Sequence, residues 1–251
     1  MDLKLVNPGV ALQKNCAIIM PAYNEEAAIA GVVEEWGRVA EKIGGMLVVI
    51  NDGSKDNTLQ ILKEAARRQK HLVVFDKANS GHASTCLKGY RWAINEKFTW
   101  IFQTDSDGQA RSEDFDRAWE VRKDHDFIFG YRPSRGDGLA RLVISRVLRL
   151  VIYFVFRVHV PDANVPFRLM KADRLEPQLR HVSEVIFLAN ALLTVVLQAN
   201  APIHWISITF QPRRGGQPSV SLPKFFKVGL KVTKEFMAVR KSLHEKIRPA
   251  N

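Results

Sequence analysis

The sequence predicts an α/β protein with a doubly wound, mostly parallel central sheet. Short apolar runs of strand-like composition alternate with segments of helical apolar spacing along the first half of the chain, and polar turns separate them. Strands that alternate with helices in this way build a parallel sheet with helices on its faces. With 251 residues, of which 46% are hydrophobic and 25% charged, the chain is long enough for one large domain or two small ones.

The first half of the chain contains four predicted strands separated by three predicted helices. Apolar residues from Ile29 to Trp36 recur at helical spacing and predict the first helix. The second helix has Asp56, Asn57 and Thr58 as candidate caps. The predicted strands are residues 15–20, 46–50, 71–75 and 99–103, and the third helix is residues 85–96.

Three polar stretches follow predicted strands. They are residues 21–26, 51–54 and 105–109. Ligands of parallel sheets bind at the carboxyl ends of the strands, so all three stretches are expected at one edge. An Asp-x-Asp sequence alone is weak evidence, because solvated surface turns contain it by chance. The convergence of three stretches favours a binding site over a solvated turn.

The chemistry of these stretches indicates a nucleotide with a metal ion. Tyr23 offers a ring for a flat base, and Asp52 is a candidate acceptor for a base N–H or a ribose hydroxyl, or else caps its own turn. Asp105 and Asp107 suit Mg²⁺ or Mn²⁺, and Gln109 adds a carbonyl oxygen. The chain contains neither a P-loop motif nor the glycine fingerprint of a dinucleotide site after its first strand.

Together these stretches resemble family 2 glycosyltransferases, which are inverting enzymes with the nucleotide-sugar-binding, Rossmann-like GT-A fold. The matching residues are Pro21-Ala22-Tyr23-Asn24-Glu25, Asn51-Asp52-Gly53-Ser54 with Asp56 and Thr58, Asn79-x-Gly81-x-Ala83, and Asp105-x-Asp107-Gly108-Gln109. One departure is Asn51, where many members of the family have a second Asp.

The resemblance implies a role for each matching position. The nucleotide-binding set would be Pro21, Ala22, Tyr23, Glu25, Asp52, Gly81 and Asp105. Asp105 and Asp107 would be the catalytic pair that binds the diphosphate and its metal, with Gln109 as a further ligand. His82, inside the third matching stretch, either approaches the diphosphate or is structural.

Within the family, the chain is most similar to the polyprenyl-phosphate glycosyltransferases, of which dolichol-phosphate mannose synthase is the type. The similarity rests on the Asp-x-Asp-x-Gln form, on Gly130-Tyr131-Arg132 and on Pro166-Phe167-Arg168. The family often has Gly where this chain has Pro166. A late Arg-x-x-Gly-x-Ser-Lys pattern is distorted here, beginning at Arg213 and lacking the final Lys.

The net charge of +11 is concentrated in two apolar segments of the second half. Residues 131–157 hold six arginines and one acid, and residues 222–248 hold eight Lys/Arg and two acids. Four arginines within residues 139–160 argue against a membrane-spanning helix and favour an interfacial one, with a core helix as the alternative. Residues 185–197 are predicted to form a buried core helix. Residues 222–248 predict a basic amphipathic helix, which either lies on an anionic membrane surface or docks on the domain.

The arginines also bear on the acceptor. A lipid monophosphate is largely a dianion at neutral pH, so it needs no protein base to attack a sugar. The candidate acceptor-phosphate residues are Arg132, Arg135, Arg141, Arg146 and Arg213. A hydroxyl acceptor would instead need a carboxylate base, for which Glu184 and Asp162 are the candidates.

The predicted function is therefore inverting sugar transfer from a nucleotide diphosphate sugar to a polyprenyl phosphate, with Mg²⁺ or Mn²⁺, at the cytoplasmic face of a membrane. The alternatives are a hydroxyl acceptor on a glycan or glycolipid, and a non-catalytic nucleotide-sugar or lipid-phosphate binding module. Nucleic acid is not expected, because the basic segments interleave aliphatic rather than stacking aromatic residues. Cys16 and Cys86 are expected in the core of a protein from a reducing compartment, and no signal peptide is predicted.

The expected organisation is one glycosyltransferase domain over residues 1–221, followed by the amphipathic helix over residues 222–251. Within that domain, residues 15–130 would form the nucleotide-sugar half and residues 131–221 the acceptor half.

Overall fold

In the computed structural model, eight strands form a single mixed sheet with helices on both faces. The structure describes residues 3–9, 11–133, 139–182, 189–211, 236, 237 and 240. The strands are β1 (Lys4–Leu5), β2 (Cys16–Ala22), β3 (Met46–Asp52), β4 (Leu72–Lys77), β5 (Trp100–Thr104), β6 (Phe127–Tyr131), β7 (Phe167–Lys171) and β8 (His204–Ser207). The helices are α1 (Ile29–Lys42), α2 (Thr58–Arg68), α3 (His82–Asn95), α4 (Ser112–Val121), α5 (Leu139–Phe156), α6 (Ala172–Leu175) and α7 (Ala189–Asn200), with a 3-10 turn at Glu176–His181.

The sheet has the strand order β1-β4-β3-β2-β5-β7-β6-β8. Strands β4, β3, β2 and β5 are parallel neighbours, as the alternation of strands and helices predicts. Strand β7 is inserted antiparallel between β5 and β6, so β6 runs in the same direction as β5. The carboxyl ends of β2, β3, β5 and β6 and the beginning of β7 therefore lie at one edge of the sheet.

Two hydrophobic clusters pack on opposite faces of the sheet. In β2, Ala17 and Ile19 belong to the cluster covered by α3 and α7, while Ile18 and Met20 belong to the cluster covered by α1. Both faces of the central strands are buried, which explains why these strands are continuous apolar runs rather than alternating ones. Gly89 lets α3 approach the sheet, since a Cβ there would lie 2.5 Å from Ile19 Cγ2.

At the edge of the sheet where the polar stretches lie, one strand and one helix have boundaries that differ from the expected ones. Strand β2 continues through Pro21 and Ala22, because its pairing with β3 extends to Ala22 and Asn51. Helix α3 begins at His82 rather than at residue 85, because Gly81 turns the chain at a φ of 89° and its carbonyl accepts the Thr85 N–H at 3.0 Å.

The second half supplies two long helices. Helix α7 is a core helix as predicted, with residues from Ala191 to Leu197 fully buried. No helix among the described residues has both the length and the apolar character needed to cross a membrane. Most of the predicted amphipathic helix over residues 222–251 lies outside the described residues. Its Phe236 is fully buried, and the Phe236 and Phe156 rings lie 5.5 Å apart, so that residue docks on α5.

Candidate active site

The first two polar stretches are joined by hydrogen bonds at the carboxyl ends of β2 and β3. The Asn24 N–H donates to Ser54 Oγ at 3.0 Å, and the Asn24 side-chain oxygen accepts the Lys55 N–H at 2.8 Å. The Glu25 N–H donates to Thr58 Oγ1 at 2.8 Å. Asn24 has a φ of 54°, which Asn tolerates better than most residues. These bonds hold Tyr23, which is 43% exposed, at the surface of the edge.

Asp52 anchors the chain between β4 and α3. Its carboxylate, 4% exposed, forms an ion pair with the buried Lys77 ammonium and accepts the N–H groups of Ser80 at 2.8 Å and Gly81 at 2.9 Å. Its backbone carbonyl accepts the Asn79 side-chain amide at 2.9 Å. The expected contact of Asp52 with a base or ribose stays a prediction.

Asp105 and Asp107 follow β5 directly, in a turn that contains Gly108 at a φ of 71°. The side chain of Asp105 is 29% exposed, whereas Asp107 is 4% exposed. Asp107 Oδ1 accepts the Gln109 N–H at 3.1 Å, and the Gln109 amide nitrogen donates to the Gln211 carbonyl at 3.1 Å. The amide carbonyl of Gln109 is thus the atom left to act as a ligand.

This donor set fits a hard divalent cation. Carboxylate and carbonyl oxygens are the ligands of Mg²⁺ and Mn²⁺, and nucleotide-bound Mg²⁺ usually takes one or two protein carboxylates together with phosphate oxygens and water. The part of the chain that the structure describes holds no group of three or more His, Cys, Asp or Glu residues suited to a metal. The two carboxylates and the Gln109 carbonyl fit a cation that is bound together with phosphate oxygens.

A column of polar side chains on α3 faces β5. His82 Nε2 lies 2.9 Å from Asp105 Oδ1, and His82 Nδ1 lies 3.7 Å from Cys86 Sγ. One turn further on, the Tyr90 hydroxyl donates to Gln103 Oε1 at 2.5 Å. Burial, with the neighbouring Cys86, raises the pKa of Tyr90 well above its ordinary value, so the hydroxyl is protonated at neutral pH.

The contact between His82 and Asp105 is a feature that motif matching misses. Partial burial lowers the pKa of His82, but Cys86 and the Asp105 carboxylate outweigh it and raise that pKa well above its ordinary value. The signal in the sequence is positional. Residues 82, 86 and 90 share one face of a helix, and residue 105 follows two positions after Gln103, the residue of β5 that Tyr90 contacts.

Arg132, at the carboxyl end of β6, forms a bidentate ion pair with Asp162. The Nε–Oδ2 distance is 2.8 Å and the Nη2–Oδ1 distance is 3.2 Å. The two side chains are 14% and 4% exposed, and the guanidinium lies 4.9 Å from the centre of the Phe210 ring. The structure thus joins a predicted phosphate ligand to a predicted base, and each neutralises the other.

Arg168 is a buried cation beside this pair. Its guanidinium donates to the carbonyls of Val165 at 2.8 Å, Asn190 at 2.8 Å and Ala163 at 3.0 Å. Burial lowers the pKa of Arg168 from its ordinary value. The side chain clamps the segment that precedes β7 to the first turn of α7.

Two of the remaining predicted acceptor residues belong to α5, and the others lie outside the described part of the chain. Arg146 is exposed on α5, and Arg141 lies in the same helix. Arg135, Arg213 and Glu184 lie outside the described residues.

The outer side of α5 is apolar and exposed. Its exposed large side chains are Val147 at 43%, Leu150 at 56%, Tyr153 at 47% and Phe154 at 63%. Arg146 and Arg149 are exposed beside them, while Ile152 on the opposite side is fully buried in the core. This α5 surface, defined by residues 146–154, combines features of both expectations, with one face in the core and the other apolar and basic.

Comparison with known proteins places this chain in a family. Residues 17–176 match the model of the family described as glycosyl transferase family 2. An uncharacterized protein of Methanocaldococcus jannaschii is 31% identical over 169 residues, which cover 63% of this chain and 72% of that protein. The undecaprenyl-phosphate 4-deoxy-4-formamido-L-arabinose transferase of Pectobacterium atrosepticum is 28% identical over 144 residues, covering 55% of this chain. The matches to such transferases span 43% to 51% of their length, about half.

Solved structures share the fold at low sequence identity. Glucosyl-3-phosphoglycerate synthase from Mycobacterium tuberculosis, in complex with Mn²⁺, UDP and phosphoglyceric acid, superposes with a TM-score of 0.64 at 13% identity, over 90% of this chain and 78% of that chain. Mannosyl-3-phosphoglycerate synthase from Rubrobacter xylanophilus superposes with a TM-score of 0.62 at 13% identity, over 94% and 77% of the two chains.

Proposed function

This chain belongs to glycosyl transferase family 2, and from that premise we propose that it transfers one sugar, with inversion, from a nucleotide diphosphate sugar to a polyprenyl phosphate at the cytoplasmic face of a membrane. It is a glycosyltransferase with the GT-A fold. The observation that carries the finer proposal is the meeting of three polar stretches at one sheet edge, with Asp105 and Asp107 beside the first turn of α3.

The donor is assigned to the edge formed by β2, β3 and β5. Tyr23 is the exposed ring available to a base, and the hydrogen-bonded loops around Ser54 and Asp52 give the edge a defined shape. Mg²⁺ or Mn²⁺, when bound with the donor, supplies positive charge that stabilises the leaving diphosphate. Asp105 and Asp107 would hold that cation, with the Gln109 carbonyl as a further ligand.

The acceptor is assigned to a phosphate rather than to a hydroxyl. A phosphate oxygen of the acceptor forms a bond to the anomeric carbon while the bond from that carbon to the diphosphate oxygen breaks, and the diphosphate leaves with the electron pair. A phosphate dianion has no proton to lose, so no protein base is needed. The name of the Pectobacterium relative, an undecaprenyl-phosphate transferase, supports this assignment.

The state of Asp162 also supports a phosphate acceptor. Both of its oxygens accept hydrogen bonds from the Arg132 guanidinium, so part of the capacity needed to take a proton from a hydroxyl is already engaged. Arg132 stands at the carboxyl end of β6, two strands from β5 across β7. Its guanidinium is suited to a phosphate that displaces or shares the Asp162 contact.

The membrane assignment rests on the α5 surface. Exposed apolar side chains such as Leu150 and Phe154 suit acyl chains, and the flanking Arg146 and Arg149 suit anionic headgroups. This combination is expected of a helix that lies in the interface of a bilayer.

A transfer assay tests the proposed chemistry. Purified protein is incubated with Mg²⁺ or Mn²⁺, a panel of UDP- and GDP-sugars, and a short polyprenyl phosphate. Product from one donor is expected, and Asp105→Asn combined with Asp107→Asn should slow turnover by roughly 100-fold or more. Full activity of that double variant refutes the proposed catalytic pair. Metal-dependent hydrolysis of one donor without lipid product would move the acceptor to a hydroxyl.

Vesicle binding tests the proposed surface. Each Arg near an anionic surface contributes about 1 kcal/mol, so Arg146→Gln with Arg149→Gln should weaken binding to phosphatidylglycerol vesicles roughly 30-fold. Arg67→Gln with Arg68→Gln is the matched control, because it removes two exposed charges from the end of α2. Equal losses in the two double variants would contradict a specific role for α5.

A further inference from the structure

We propose that His82 is a positioning residue that holds Asp105 with one carboxylate oxygen turned toward the divalent cation. The inference rests on the proposed function, because it assumes a cation at Asp105. Its basis is the 2.9 Å contact between His82 Nε2 and Asp105 Oδ1, a contact between residues 23 positions apart in the chain.

The direction of this hydrogen bond follows from its partners. An ionised carboxylate has no proton and only accepts, so His82 Nε2 carries the hydrogen and donates it to Asp105. The opposite ring nitrogen, Nδ1, faces Cys86 Sγ at 3.7 Å. The Nε2–H donor is present whether or not Nδ1 is also protonated, so the contact does not depend on the charge of the imidazole.

The ring is held in place by its neighbours on α3. His82 is the first residue of α3, after Gly81 at a φ of 89°. Cys86, one turn later on the same face, is fully buried and backs the ring. Tyr90, one further turn along, is bonded to Gln103 of β5 at 2.5 Å and fixes the helix against the strand that leads to Asp105.

The hydrogen bond from His82 determines which oxygen of Asp105 is offered to a cation. Because His82 engages Oδ1, we expect the second oxygen, Oδ2, to face the cation. A carboxylate fixed in this way presents its second oxygen to a cation without first losing rotational freedom. Loss of such an outer hydrogen bond typically lowers metal affinity by roughly 10- to 100-fold.

Manganese binding to the purified full chain tests the inference without any sugar transfer. Mn²⁺ affinity is measured by electron paramagnetic resonance, with Mn²⁺ alone and with UDP or GDP added separately. His82→Ala should bind Mn²⁺ roughly 10- to 100-fold more weakly than the unaltered chain. His82→Gln places an amide N–H near the position of Nε2 and should recover most of the affinity, whereas His82→Asn is shorter by one carbon and should not.

The outcomes separate a positioning role from the alternatives. Equal Mn²⁺ affinity of His82→Ala and the unaltered chain overturns the inference. A ¹⁴N coupling from a directly bound imidazole, seen by electron spin echo spectroscopy, overturns it in favour of His82 as a metal ligand. Similar weakening in the Gln and Asn variants, together with lower melting temperatures, overturns it in favour of a structural role. Absence of Mn²⁺ binding to the unaltered chain, both alone and with UDP or GDP present, would refute the proposed metal chemistry itself, and the inference with it.

Discussion

Replacing Lys77 by methionine is expected to destabilise the protein strongly. The Lys77 side chain is 0% exposed and forms an ion pair with Asp52, whose side chain is 4% exposed. Its ammonium also donates to the Ala78 carbonyl at 2.9 Å and to Ser80 Oγ at 2.7 Å. Methionine retains the apolar stem and removes all three donors, so a buried carboxylate loses its counter-charge.

The size of the effect follows from what remains around Asp52. Removing one partner of a buried ion pair costs about 3–5 kcal/mol. The N–H groups of Ser80 and Gly81 still donate to the carboxylate, which places the loss near the lower end, about 3 kcal/mol. For a chain of this size each kcal/mol lowers Tm by roughly 2–4 °C, so Lys77→Met should melt roughly 6–12 °C below the unaltered protein.

Thermal unfolding followed by circular dichroism measures this loss. Lys63→Met is the matched control, because Lys63 is exposed on α2, and it should change the free energy of unfolding by less than about 0.5 kcal/mol. Adding Asp52→Asn to Lys77→Met removes the uncompensated charge and should restore part of the stability. Because Asp52 holds the backbone of Gly81, Lys77→Met should also weaken donor binding more than Lys63→Met does.

Two results would refute this reasoning. A Lys77→Met protein that melts within about 2 °C of the unaltered one would mean that the pair adds little to stability. A double variant less stable than Lys77→Met alone would mean that the uncompensated carboxylate is not the source of the loss.

Three further predictions concern packing and the acceptor side. Gly89→Ala places a Cβ 2.5 Å from Ile19 Cγ2 and should cost about 1–3 kcal/mol, measured as a lower melting temperature. Arg168→Lys cannot reproduce three directed bonds to carbonyls and should cost roughly 2–4 kcal/mol in urea unfolding, despite the retained charge. Asp162→Asn should strengthen the binding of polyprenyl phosphate, seen as a lower KM, by leaving Arg132 uncompensated, while turnover changes less than about 10-fold. Turnover slowed by roughly 100-fold or more would instead identify Asp162 as a general base.

The first half of the fold was predictable because its strands are buried on both faces. A strand such as β3 then appears as a continuous apolar run, Met46 to Ile50, between polar turns. The residues at which strands end and helices begin were not predictable at the sheet edge where the polar stretches lie. Asn51 and Asp52 are polar yet paired and buried in β3. Asn51 is bonded to Asp76 of β4, and Asp52 is bonded to Lys77 and to the loop after β4. The positive φ of Gly81, which starts α3 early, leaves no trace in apolar periodicity.

The location of the Asp105–Asp107 pair was predictable, whereas the partners of the charged residues were not. A carboxylate after an apolar strand points to the sheet edge on local pattern alone. The pairing of Arg132 with Asp162 depends instead on the insertion of β7 between β5 and β6, a tertiary arrangement that local spacing does not encode. The contact between His82 and Asp105 has the same origin, since it depends on how α3 packs over β5.

The antiparallel insertion of β7 also governs the order in which the chain can complete its sheet. Strand β5 has β2 on one side and β7, residues Phe167–Lys171, on the other. Until residue 171 has emerged from the ribosome, the second side of β5 remains an unpaired edge of apolar residues. A fragment that ends near residue 130 would carry the complete Asp105–Asp107 turn and yet expose that edge to self-association. The strand that leads to the two aspartates thus reaches its final surroundings only when β7 has joined the sheet.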